Sequence, residues 1–164
     1  MLTTAAAASS QPPPKPSLKL SADETFAVQW QALQRNDEPT VDSGVECLYS
    51  FAVIDLFLAR STYFGASADL GQFERFRRVL HSTRYRVLLS HRGCTVLSTL
   101  NISDDECKQR VRVLGYRGSE CGEFTMTLRR QLGGRSDGVW LTTRLICDAY
   151  WARTPEDASD TSDV

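Results

Sequence analysis

Residues 105 to 150 hold three stretches of alternating apolar and polar side chains, separated by two glycine turns. The pairings those turns impose agree with one another, and this limits the chain more than any other feature. Arg117-Gly118-Ser119-Glu120 reads as a two-residue hairpin, with Gly118 supplying the positive φ of a type II′ turn. Closing the chain there sets Val113 opposite Phe124 and Val111 opposite Met126. The second turn, Gly133 to Gly138, sets Leu132 opposite Val139, Leu128 opposite Thr143, Met126 opposite Leu145 and Phe124 opposite Cys147. Side chains alternate with period two, so one face of all three strands is mostly apolar. The other face carries Lys108, Arg110, Arg112, Arg129, Trp140 and Arg144.

The N-terminal half has helical spacing instead. Ser21-Ala22-Asp23-Glu24 is a capping box, followed by Phe26, Trp30 and Leu33 one turn apart. This helix is expected to stop near Asn36-Asp37, before Pro39. A second helix starts at Thr40 or Asp42, shows the stripe Val45, Leu48, Tyr49 and Ala52, and extends to about Arg60. Ser61 to Asp69 reads as a loop. A third helix covers Gly71 to Leu80, with Phe73, Phe76 and Leu80 inward and a Glu74–Arg78 pair outside. His81 ends this helix, where a cation suits the helix dipole. Tyr85 to Leu100 reads as a long first strand, bent at Gly93. Helices first and an antiparallel meander of about four strands second predict an α+β fold, with the helices packed on one sheet face.

At 164 residues, 41% hydrophobic, the chain suits one domain with a real core. No apolar run approaches the length of a membrane-spanning helix, so no membrane association is expected. Five scattered cysteines with no CxxC pair give no zinc signature and fit a reducing compartment, so a cytoplasmic location is expected. Residues 1 to 20 lack acids and Arg and are rich in Ala, Ser, Thr and Pro. They read as a disordered arm or, alternatively, as a plastid transit segment. Residues 21 to 152 form the domain, and residues 153 to 164 read as an acidic disordered tail.

Several segments, in order, resemble a known family. Val28 to Asp37 is similar to the first helix of the domain of unknown function 4864 family. Asp42-Ser43-Gly44-Val45 with Tyr49-Ser50-Phe51-Ala52 resembles its Asp-Ala-Gly-Ile and Phe-x-Phe-Ala stretch. Gly71, Phe73-Glu74-Arg75-Phe76 and Val79-Leu80 resemble its third helix. Tyr85, Leu88-Leu89 and His91 resemble its first strand. Phe124, Leu128 and Arg130-Gln131, then Val139-Trp140-Leu141-Thr142, resemble its last two strands. Where that family continues with Ser-Pro this chain has Val53-Ile54, and where its last strand carries Asp this chain has Thr143. The family is similar to the nuclear-transport-factor-2-like superfamily, a cone-like fold that includes ketosteroid-isomerase-like enzymes. The resemblance implies a curved sheet wrapped around a helix with a pocket between, and no particular reaction.

That pocket is expected to be lined by Trp30, Tyr49 and Phe76 from the helices. His91, Val111, Phe124, Met126, Thr143 and Leu145 are expected from the sheet. It would suit a small apolar ligand. Asp55, inside an apolar run, and His91, beside the bend at Gly93, are the candidate acid or base of an isomerase, dehydratase or hydrolase. Their bland readings are an exposed helix carboxylate and a hydrogen-bonded structural histidine. The basic sheet face reads as a solvated surface or a homodimer interface ahead of a nucleic-acid site, because no aromatic stacking motif accompanies it. No glycine loop cradles phosphate, and no cofactor or metal is expected. The expectation is thus a ligand-pocket or protein-interaction module, with an enzyme and a nucleic-acid binder as the alternatives.

Overall fold

The computed structural model describes residues 11–152. The acidic tail expected at 153 to 164 and the first ten residues of the expected arm lie outside them. Helices α1 (Ala22–Gln34), α2 (Ser43–Phe51) and α3 (Phe73–Ser82) precede four strands. These are β1 (Gly93–Ser103), β2 (Glu106–Leu114), β3 (Cys121–Arg130) and β4 (Trp140–Trp151), an antiparallel sheet in chain order. The fold is therefore α+β with the helices N-terminal to the sheet, an arrangement consistent with a cone. No described helix is long and apolar enough to cross a membrane.

The capping box forms as the sequence predicts: Glu24 N donates to Ser21 Oγ at 3.2 Å and Ser21 N to Glu24 Oε2 at 2.8 Å. Phe26, Trp30 and Leu33 then enter the core. The arm is partly built in. Leu20 packs on a small cluster of Ala32, Cys47 and Phe51, and the Cys47 thiol lies 3.7 Å from the Pro14 carbonyl.

Two element boundaries differ from expectation. The second helix stops at Phe51 instead of reaching Arg60. Ala52 is extended, Ala52 makes a parallel bridge with Thr142, and Val53 N donates to Thr142 O at 2.8 Å. Free carbonyls on the outer edge of β4 thus compete for the chain, and β-branched Val53 and Ile54 suit the extended form. The strand expected from Tyr85 begins only at Gly93, because Arg84–Leu88 is a 3₁₀ turn capped by the Thr83 hydroxyl. Tyr85 and Leu88 are both buried one 3₁₀ turn apart, a spacing that short apolar patterns do not separate from a strand.

The strand faces are as expected up to a bulge in β4, one register is shifted and another is interrupted. Val111 pairs with Phe124, and Gln109, not Val111, with Met126. The first hairpin is longer than two residues. Gly115 N donates to Glu120 O at 2.8 Å and Gly118 N to Gly115 O at 3.0 Å, so Gly118 (φ +68) ends the turn and does not open it. The slip is two residues, which preserves every face. Phe124 opposite Cys147 and Met126 opposite Leu145 hold as expected. Beyond them a bulge between Thr127 and Leu128 sets Leu128 opposite Thr142, not Thr143. Thr142 and Trp140 consequently turn toward the helices, and Trp140 packs against the core, away from the basic face assigned to it. Leu132 lies in the exposed second turn with no strand partner.

The two borders of the sheet differ. Along β4, Leu145 N donates to Tyr63 O at 2.8 Å. The Tyr85 hydroxyl lies 3.0 Å from the Phe64 carbonyl and 2.9 Å from that of Leu145, and accepts from Cys147 N at 3.0 Å. With Val53, these contacts cover the Thr142–Cys147 stretch. Along β1, nine consecutive residues from Thr95 to Ser103 are exposed. Register shifts between Val96 and Ser98 and between Asn101 and Ser103 give β1 two extra residues relative to β2.

Candidate functional site

Most of the residues expected to wall a hollow are packed into the core. Phe76, Val111, Phe124, Met126 and Leu145 are wholly buried and belong, with Trp30, to a single packed cluster. Tyr49 closes its edge through T-shaped ring contacts of 5.4 Å with Phe73 and 5.1 Å with Phe76. Thr143, at the bulge, donates its hydroxyl to the Thr127 carbonyl at 3.3 Å. Several polar groups inside this core satisfy one another. Trp30 Nε1 donates to Gln109 Oε1 at 2.8 Å, and Gln109 Nε2 to Thr99 Oγ1 at 3.2 Å. Thr142 donates to Gln29 Oε1 at 2.8 Å, and Gln29 Nε2 to Thr25 O at 3.2 Å. Among the described residues, the Tyr63 hydroxyl is buried without a hydrogen-bond partner, and burial raises its pKa.

The two acid–base candidates are not brought together. Asp55 is not on a helix: it sits in an exposed turn, where its Oδ1 accepts from Phe57 N at 2.8 Å. His91 is buried just before β1, and its Nδ1 lies 2.8 Å from the Leu88 carbonyl. Burial pulls its pKa below the ordinary imidazole value, partly offset by that hydrogen bond, so the ring is neutral.

The basic face is largely compensated. Glu123 stands between two arginines, accepting from Arg110 at 2.5 Å and from Arg112 at 2.7 Å. The Arg112 and Arg110 hydrogen bonds hold its carboxyl below the usual range against the pull of burial. Asp148 lies 3.8 Å from Arg110 and accepts from Thr125, and Glu106 lies 3.4 Å from Arg129. Lys108 and Arg144 complete a face of alternating sign, which is poor ground for a polyanion.

A constellation that the sequence left unassembled forms where α1, α2 and α3 meet. Asp42, in the left-handed region at φ 62, is 3% exposed and precedes α2. Burial alone would favour its neutral form. Asn36 Nδ2 at 2.9 Å, Arg77 Nε at 2.5 Å and His81 Nε2 at 2.8 Å all donate to it and hold its pKa below the ordinary value. His81 therefore clamps α3 to the start of α2 and does not simply cap its own helix. Arg77, not Arg78, is the ion-pair partner of Glu74. Asn36 does the capping that Asp42 does not: its Oδ1 accepts from Val45 N at 3.1 Å and its carbonyl from Gly44 N at 2.9 Å. Gly44 is required here, since a Cβ would lie 2.3 Å from the Ala32 carbonyl oxygen. Asn36-Asp37 and Asp42-Ser43-Gly44-Val45, separate in the sequence, are thus one structural joint.

What remains open to partners lies on the surface. A cleft of about 390 Å³ runs between the 3₁₀ turn and the β2–β3 turn, lined by Arg86, Val87, Tyr116, Arg117 and Glu120 among others. In its wall Glu120 accepts from Arg86 at 2.6 Å and from the Tyr150 hydroxyl at 3.0 Å. The exposed β1 border is the longer feature and carries Val96, Leu97, Leu100 and Ile102 at 41 to 60% exposure. No protein-family model, curated protein or solved structure matches the chain.

Proposed function

We propose that this chain is a protein-interaction module of nuclear-transport-factor-2-like architecture, and that it docks through its sheet, not through an internal ligand pocket. One observation carries this reading. Phe76, Val111, Phe124, Met126 and Leu145, expected to line a hollow, belong to one packed cluster with no exposure, while apolar residues stand uncovered along β1. A binding pocket usually needs room for most of a ligand's surface, and a filled core offers none. The bland roles of Asp55 and His91 point the same way, because neither is placed to exchange a proton with a bound molecule. The alternating charges of the outer face favour a protein partner over nucleic acid.

Native mass spectrometry of the purified chain tests the reading. The expected spectrum contains protein alone. A small molecule retained stoichiometrically, and lost on replacing Phe76 or Met126 by tryptophan, would overturn it.

A further inference from the structure

We propose that the free edge of β1 pairs antiparallel with the β1 of a second copy, joining two four-stranded sheets into one; this rests on the docking reading above. An exposed strand edge is a template for another strand, and proteins usually blunt it with Lys, Pro, an inward charge or a covering segment. From Gly93 to Ser103 β1 contains no charged residue and no proline. Its bulges bend the strand but leave Val96, Leu97, Leu100 and Ile102 uncovered, at 52, 41, 60 and 47% exposure.

Self-pairing is favoured over a foreign strand by the pattern of faces and charges. A two-fold contact brings each residue to its counterpart across the axis, so the two halves of β1 must complement each other. Val96 and Thr99 lie opposite Val111 and Gln109, on the helix side. Thr95 and Leu100 lie opposite Arg112 and Lys108, on the outer side. An axis at Leu97–Ser98 therefore sets Val96 against Thr99 of the second copy, Thr95 against Leu100 and Cys94 against Asn101, each pair sharing a face. The same register brings the exposed Arg92, just before the strand, near the exposed Asp104, just after it, twice over, once the Arg92 guanidinium swings from its place against Gly118. Complementary charges at both ends of an uncharged strand fix direction and register.

Sedimentation velocity on the full chain at increasing concentration reads the association directly. The wild type is expected to form a two-chain species. Ser98→Lys places like charges beside the axis and is expected to leave a monomer; a lysine on an edge strand is compatible with folding. Arg92→Asp and Asp104→Arg are each expected to raise the dissociation constant by about tenfold, and the double swap to restore it. A wild type that is monomeric throughout, or a dimer indifferent to Ser98→Lys and to both single reversals, overturns the proposal. Native mass spectra of the same samples keep the two ideas apart. A monomer with an empty core sinks self-pairing alone, whereas a molecule held in the core sinks the docking reading.

Discussion

Replacing Gly44 by alanine tests the joint between α1 and α2, and the structure sets the size of the effect. The added Cβ would lie 2.3 Å from the Ala32 oxygen, 2.9 Å from the Ala32 carbonyl carbon and 2.8 Å from Asn36 Oδ1. Two of those atoms are backbone of a neighbouring helix, so relief requires α1 and α2 to separate. Overpacking of this kind costs about 1–3 kcal/mol. Separation also stretches the bonds from Gly44 N and Val45 N to Asn36, worth about 1 kcal/mol each. Alanine returns about 1 kcal/mol of helix propensity. The net expectation is a loss of about 3 kcal/mol. In urea, with a slope near 2 kcal/mol per molar, the unfolding midpoint falls by about 1.5 M at unchanged slope. Gly93→Ala is the control: nothing lies within 4 Å of its Cβ position, so the same change there is expected within about 0.5 kcal/mol of wild type, or above it. A Gly44→Ala protein as stable as the wild type, or a Gly93→Ala protein equally damaged, would refute the reasoning.

Three further outcomes follow from the titratable groups. Asp42 has a lowered folded pKa, so its contribution is present above the ordinary Asp value near 3.9 and lost as pH falls through the folded value. Asp42→Asn should lower stability at neutral pH and flatten the acid limb of a pH series of denaturation curves. His91 is buried with a lowered pKa, so the unfolded chain binds the extra proton first and stability declines as pH drops below about 6.5. His91→Gln, if it keeps the Leu88 contact, should remove that decline, and an unchanged profile would argue that the ring is not buried neutral. Glu123→Gln removes the charge shared by Arg110 and Arg112 and should lengthen retention on heparin, while the wild type elutes at or below physiological salt.

Local signals in the sequence were legible where one interaction decides the outcome. The capping box at Ser21 and Glu24 and the paired faces of β2, β3 and β4 are of this kind. The first hairpin register differs by two residues from the one the sequence predicts, because Gly118 can serve a positive-φ position at either end of a turn. The interior faces of Val111, Phe124 and Leu145 survived the error since the slip was even. Trp140 lies on the face opposite to the one the sequence predicts because a bulge flips a strand without any distinctive residue. The Asn36–Asp42–Arg77–His81 joint was invisible for another reason. Its members come from three elements, and only tertiary packing brings Arg77 and His81 to a carboxylate 35 and 39 positions away. The filled interior was likewise beyond the sequence: side-chain pattern names the residues facing inward but does not fix how far apart the layers stand.

The covering of β4 by Val53, Tyr63 and Tyr85 has a consequence for growth. A sheet with two receptive borders can recruit neighbours on both sides and run on into a fibre. Here the Thr142–Cys147 stretch of β4 is covered, so the head-to-head union proposed through β1 uses the open border of both partners and leaves that stretch no template for a third. Peeling both the Val53–Tyr63 segment and Tyr85 away would open that stretch and let a self-limiting pair grow.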